Sequence, residues 1–423
     1  MAQIYHFDLY GRREDKDKFL QANDVYTIKW IEISPQSPFY LFCPQNRDLL
    51  SEYNEGWKIK DIMPVNSVGI VTTRDSLTIK WSIQEIKDTV KDFASLSAEE
   101  ARRKYELGKD ARDWQVALAQ EDLRKNKLQD TNILPILYRP FDIRYTYYTG
   151  KTRGFICMPR PEVMRHMLVE DNLCLVFMRQ VALQDSYSHF LVSRYPVDNR
   201  AFYSNKGIMN LAPLYIYPDT ENEQGNLLSD AYGGLRQRTS NLSQKFLSAI
   251  REKLSYIPTP EAIFYYAYAI FHSPTYRQRY AEFLKIDFPR LPLTSNNDLF
   301  QALSEKGEEL AQMHLMKSKK LNKIITKYPV SGDNAVTEVT YKQPEQRIYI
   351  NKQQYFERIT PEVWAFKIGG YQVLDKWLKD RKKAQRSLSF DDILYYQKVI
   401  VALKETMHIM TTIDQIIPSF PIE

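Results

Sequence analysis

Between residues 139 and 241 the chain concentrates side chains that can hold a nucleic acid. Lys151, Arg153, Arg160, Arg165, Arg179, Gln180, Arg194, Asn199, Arg200, Lys206, Arg236, Gln237, Arg238 and Asn241 fall there, together with Arg139 and Arg144. Arg and Lys neutralise phosphates or grip the O6 and N7 of guanine. Asn and Gln match the N6 and N7 of adenine. Many of them fall at the ends of expected strands or in loops, where recognition groups usually sit. A structural reading competes with this one. Arg139 could pair with Asp142, and Arg160 with Glu162, and residue types alone leave both readings open. Arg179, Gln180, Asn199, Arg200, Arg236 and Arg238 are the expected base readers.

Other chemistries find less support. The chain has 14 Gly, none spaced as Gly-x-Gly, and only Gly233–Gly234 and Gly369–Gly370 are adjacent. A loop that lets a nucleotide approach the backbone needs such spacing. Gly150-Lys151-Thr152 copies the end of a phosphate loop, but the glycine required five residues earlier is Tyr145. A hairpin turn is expected there. Asp75, Glu85 and Lys87 have the spacing of a metal-dependent nuclease. The stripe Ile83, Ile86, Val90 and Phe93 instead puts Glu85 and Lys87 on a helix, diverging by roughly 200°. The six His include no H-x-H or H-x-x-x-H pair, so no metal site is expected. His166 reads as structural or phosphate-facing.

The chain is long enough for two or three domains and apolar enough, at 43%, to build a core. A net charge of +6 does not by itself separate a DNA binder from a soluble enzyme. Most of the 29 Tyr are assigned to packing. Three Cys without a CxxC pair point to a reducing compartment with neither disulfides nor zinc. No signal-peptide pattern is present at the N-terminus. The most apolar stretch, Ala262 to Phe271, is too short to span a bilayer. A cytoplasmic protein with no membrane partner is expected.

Periodicity predicts strands at 4–9, 27–33 and 39–42, with a charged turn or short helix over 11–20. Short strands and turns follow over 53–80. Helices are expected across 82–128, the second carrying Trp114, Leu118 and Leu123. Strands return over 131–217, clearest at 145–148, 173–177 and 214–217. Residues 219–243 read as a mobile loop. Helices dominate from 243, including one over 297–321, and strand returns at 336–350. The last helices include one with Trp377 and Leu378 and another over 393–413.

Two runs carry a family resemblance. One joins Trp364, Ile368-Gly369-Gly370-Tyr371-Gln372 and Trp377-Leu378-Lys379-Asp380-Arg381. The other is Tyr138-Arg139-Pro140-Phe141-Asp142-Ile143-Arg144-Tyr145, leading into Pro159-Arg160-Pro161-Glu162-Val163-Met164-Arg165-His166-Met167. Together they resemble the C-terminal specificity region of Type ISP restriction–modification enzymes. Those bacterial enzymes carry a nuclease, a helicase-like ATPase, an adenine-N6 methyltransferase and a DNA target-recognition domain in one chain. The segment 264–280 is similar to a helix common in DNA-methyltransferase specificity domains. The resemblance runs from Ile4 to Ile413.

It implies an α+β fold: a mixed β-sheet target-recognition domain with flanking helices and a helical C-terminal part. Residues 1–50 resemble the strands of a methyltransferase tail, and 51–130 a helical connector. Residues 131–243 are expected as the β-rich target-recognition domain. Residues 244–423 are expected as a helical specificity domain with a short β segment. The implied function is sequence-specific recognition of double-stranded DNA, directing adenine-N6 methylation, and restriction where it occurs. Because N6 is buried in the stack, the adenine would flip into the methyltransferase pocket. The Asn/Asp-Pro-Pro-Tyr/Phe tetrad of such methyltransferases is absent from these residues. Catalysis and S-adenosylmethionine binding are therefore expected on a separate polypeptide or an upstream segment, and no cofactor or catalytic residue is assigned to this chain. Arg139, Asp142 and Arg165 belong to the shared motifs, which favours a scaffold role for them. The Gly369–Gly370 motif reads as a tight turn beside a buried aromatic junction. Two alternatives stay open: a divergent methyltransferase or nuclease active alone, and a scaffold whose Tyr-rich surface binds protein.

Overall fold

The computed structural model describes residues 3–37, 40–44, 46–169, 172–182, 186–218 and 238–422. It forms two compact units, Met1–Ser51 and Glu52–Glu423. Expected base reader Arg236 and neighbouring Gln237 lie outside the described residues, as does most of the expected loop.

In the first unit Ile4–His6 pairs antiparallel with Ile31–Ile33, and helix Arg13–Ala22 connects them. Phe7 stacks on Phe19 at 5.6 Å and meets the edge of Trp30 at 6.3 Å. The expected strand 27–33 is shorter than its pattern. Asp24 Oδ1 accepts from the backbone N–H groups of Tyr26 and Thr27, which makes the start of that run a turn. Residues 40–42 carry no strand.

In the second unit the fold is α+β, with helices around small sheets. Every ladder between the named strands described is antiparallel. One sheet runs in the order Ile79–Lys80, Asp142–Tyr147, Ile133–Arg139. Another runs Ser67–Val68, Met209–Pro213, Cys174–Met178, Phe190–Ser193. Cys174–Met178 is apolar at every position because both of its faces are covered, and all five residues are buried. Helix Ile83–Ser95 starts at Ser82, whose hydroxyl accepts from Glu85 N. Its stripe buries Ile86, Val90 and Phe93 as the period predicts, but Ile83, in the first turn, is exposed. Trp114 lies outside the expected helix. It precedes Val116–Lys125 in a bridged turn with Ala111, and its indole N–H donates to Phe155 O.

The apolar run near 262–271 forms the central helix Pro260–His272, buried from Tyr266 to its end. It packs on helix Asn297–His314, where Gly307 lets the two backbones meet: a Cβ there would stand 1.8 Å from Tyr265 O. The expected helix 297–321 ends its α-turns at His314, and a 3₁₀ turn follows at Lys319–Asn322. The last helix, Phe390–Ile416, starts earlier than its apolar pattern, because Ser389 and Asp392 close a capping box. Among the described residues no helix is long and apolar enough to cross a membrane.

Candidate functional site

A cleft of about 900 Å³ opens where four segments meet. Helix Asp75–Thr78, strand Ile79–Lys80 and the start of the next helix form one wall. The hairpin around Tyr138–Arg144 forms a second, helix Val373–Lys383 a third, and the turn at Asn199–Arg200 a fourth. Backbone bonds tie these segments. Asp198 N donates to Leu137 O at 3.0 Å, Ile70 N to Val197 O at 2.8 Å and Asn199 N to Ile70 O at 2.9 Å.

The floor is a buried charge lattice. Asp142 is 1% exposed and lies between two guanidiniums. Arg144 Nη2 is 2.8 Å from its Oδ2, and Arg381 Nη2 is 3.1 Å from its Oδ1. Burial alone would push the Asp142 carboxyl up, but the charges of Arg381 and Arg144 outweigh it and hold the group below its ordinary range. Arg144 also sits between the rings of Trp81, at 3.7 Å, and Tyr138, at 4.0 Å. Arg139 pairs with Asp198 at 2.8 Å, not with Asp142. The two are register partners across the hairpin, but the register shifts between Leu137 and Arg139, and such a bulge re-aims a side chain. Burial pushes the Asp198 carboxyl up to about 6, against the pull of Arg139. Tyr138 OH donates to Asp75 Oδ2 at 3.0 Å.

The rim is different. Seven Arg and Lys line the cleft against three carboxylates, and four of these cations form no ion pair within 4 Å among the described residues. Arg74 donates to the carbonyls of Leu107, Thr73 and Lys109 and lies over Trp114. Lys80 donates to Ser76 O at 2.6 Å, and burial lowers its pKa, partly offset by Glu85. Arg200 and Lys383 are exposed. Chemically, such a rim can take an anion without first breaking an ion pair, and aromatic rings lie beside it. Glu85 reaches the cleft but pairs with Arg386 at 2.9 Å, whereas Lys87 turns away to Asp130. Helical spacing separates Glu85 and Lys87 as expected, and among the described residues no three His, Cys, Asp or Glu converge as a metal site. Among the described residues no glycine lines the cleft.

Of the expected site residues, the structure brings Asn199 and Arg200 to this cleft. Lys206 lies on the loop that continues from Arg200, and Gln180, just after strand Cys174–Met178, donates from Nε2 to Lys206 O at 2.8 Å. Arg179 is 53% exposed and pairs with Asp287 at 3.3 Å. Arg153 pairs with Asp113 at 3.6 Å, and exposed Lys151 begins not the expected hairpin but a local turn, where Gly154 N donates to Lys151 O at 3.3 Å. Arg160 reaches Met158 Sδ, with its backbone in the left-handed region at φ 56°. Arg165 opens a 3₁₀ turn, and Arg194 lies over the Tyr195 ring at 5.6 Å. Arg238 lies over Tyr215 at 3.9 Å and near Glu261. Asn241 is placed differently from the expectation. It is 1% exposed, and its amide is spent on backbone: it donates to Val65 O and Pro213 O and accepts from Val65 N. His166, also buried, accepts from Tyr217 N. Sequence reasoning missed Arg74, Lys80, Lys376 and Lys383 as lining residues.

Comparison with known proteins places the fold. The family model for the Type ISP C-terminal specificity domain matches residues 61–412. A nuclease-deletion mutant of the Type ISP restriction–modification enzyme LlaGI, in complex with a DNA substrate mimic, is 21% identical with a TM-score of 0.69. The alignment covers 100% of this chain and 39% of that one. A DrdV–DNA complex is 19% identical with a TM-score of 0.71, over 100% of this chain and 44% of that one. The ATP-dependent Type ISP enzyme LlaBIII bound to DNA is 16% identical with a TM-score of 0.67, over 93% and 26%. The chain thus spans less than half the length of each, and at these identities the likeness is one of fold. A search of curated proteins gives no match. With the family model matched from 61 to 412, the chain belongs to the Type ISP C-terminal specificity domain family.

Proposed function

We propose that this chain is the duplex-DNA recognition part of a restriction–modification enzyme. One observation carries the reading: Arg74, Lys80, Arg200 and Lys383 line one cleft and form no ion pair within 4 Å among the described residues. Phosphates are the ligands such cations suit, and the term is long-range and independent of sequence. Three solved structures of the same fold are DNA complexes, which supports the reading further. Asn199, Gln180 and the loop bearing Lys206 are the proposed source of base selection.

The finer proposal is that recognition directs adenine-N6 methylation, with S-adenosylmethionine bound by a methyltransferase domain outside these 423 residues. Residues 1–50 would be the tail of that domain. The support is their surface. Tyr10, Val25, Tyr26, Tyr40 and Phe42 are each at least 60% exposed, apolar side chains that an adjoining domain would cover. The test of the central reading is anisotropy of a labelled duplex titrated with the chain across salt concentrations. Tight binding at low salt that weakens steeply with added salt is the expected result.

A further inference from the structure

The loop from Arg200 to Ile208 is more firmly held than a connection needs to be. Tyr203 N donates to Gly369 O at 2.7 Å, and Tyr371 OH to Arg200 O at 3.2 Å. His189 Nε2 lies 3.0 Å from Tyr203 O, and Ala182 N donates to Ser204 Oγ at 3.1 Å. Phe202 is buried. The glycine pair makes this possible. A Cβ on Gly369 would stand 1.9 Å from the Phe202 ring, and one on Gly370 would stand 2.2 Å from Tyr203 O. The Gly-Gly-Tyr run therefore does more than turn the chain: it seats this loop.

Beside the exposed polar side chains of Arg200, Asn205 and Lys206, the loop also presents apolar surface. Tyr203 is 50% exposed and Ile208 is 59% exposed. Leaving two such side chains in water on a fixed backbone costs free energy, roughly 25 cal/mol per Å² of apolar area. Fixing the backbone beforehand also lowers the entropy lost when a partner is engaged. The surroundings select the partner. Exposed Arg200 and Lys206 lie on the same loop and form no ion pair within 4 Å among the described residues, and Arg179 and Gln180 lie at the adjoining strand end. Cations around an apolar tip match a polyanion with an apolar interior, which is a stacked duplex.

We propose that Tyr203 and Ile208 enter the duplex as a wedge between neighbouring base pairs, while Arg200 and Lys206 hold the flanking phosphates. Such wedges unstack a step and bend the duplex, at a cost repaid by added contacts. This inference rests on the DNA-binding reading, and its test separates the two.

The chain first selects its preferred duplex from a randomised pool. 2-Aminopurine is then placed at successive positions of that duplex. The wild-type chain should raise the fluorescence at one step. Tyr203→Ala combined with Ile208→Ser should abolish the rise at saturation and weaken binding about tenfold. Lys206→Ala should weaken binding yet keep the rise at saturation. Circular dichroism melts confirm that the variants fold; both substituted side chains are exposed, so unchanged melts are expected. Tight wild-type binding with no rise at any step overturns the wedge alone, as does a rise that survives the double substitution. Failure of the wild-type chain to bind any duplex overturns the DNA reading and the wedge with it.

Discussion

Asp142 shows how one buried carboxylate organises the cleft floor. It is the shared partner of Arg144 and Arg381, which come from positions 237 residues apart in the chain. Removing it leaves Arg381 buried without its counter-charge and Arg144 with only Asp380, at 3.4 Å. Asp142→Ala should therefore destabilise the fold by about 3–5 kcal/mol, read from denaturant midpoints. Arg200→Ala, on the exposed rim, should stay within about 0.5 kcal/mol of wild type. Equal effects for the two would contradict the division between floor and rim. The sequence suggested an acid–base pair at this hairpin but gave the wrong partners. Arg139 finds Asp198, a residue 59 positions away, and nothing in the local spacing announces it.

Elements were legible where one periodicity decided them. The strand read at 173–177 is found at 174–178, and the stripe of Ile86, Val90 and Phe93 lies on a helix as its period predicts. Boundaries set by caps were less so, as the early start at Ser389 shows. The cleft itself was hidden. Its cations come from 74–80, 139–144, 200 and 376–383, and only tertiary packing joins those stretches. The glycine pair was legible as a turn. Gly369 at φ 59° and Gly370 at φ 80° join Lys367–Ile368 to Tyr371–Gln372 in a two-residue hairpin. Its second task, seating the 200–208 loop, depends on a neighbour 167 residues upstream and was not legible. Gly370→Ala meets both constraints at once. It should cost about 1–3 kcal/mol of stability and shift the selected DNA sequence, because the loop must move away from Gly370. A melt near wild type with unchanged sequence preference would show that the hairpin does not set the loop.

At the scale of the whole molecule, pH should act through the helical core. His272 and His314 are buried with ring centroids 5.5 Å apart, between Tyr268, Thr406 and Phe141. Burial lowers both, with Arg277 adding to the effect, His314 to about 3. Their folded pKa lies below the unfolded value near 6.5, so their contribution is complete above that pH and is lost as pH falls toward the folded value. Asp198, raised to about 6, acts in the opposite sense, its contribution being lost as pH rises through that value. Buried His166, lowered by burial to about 4, acts in the same sense as the pair, so the net expectation is a loss of about 3 kcal/mol between pH 7.5 and 5.5, read from urea unfolding. Unchanged or rising stability over that window would contradict the neutral, buried state of the pair.

The central claim is that the cleft takes phosphates, and salt dependence tests it most directly. Anisotropy titrations of one labelled duplex, from low to moderate salt, give the slope of log K against log salt. The expected slope is steep and negative, about −0.9 for each phosphate neutralised. Arg200→Ala and Lys383→Ala should each reduce its magnitude by about one unit without altering sequence preference at the low-salt end. Binding that is absent, flat with salt, or unchanged in slope in both variants would contradict the account.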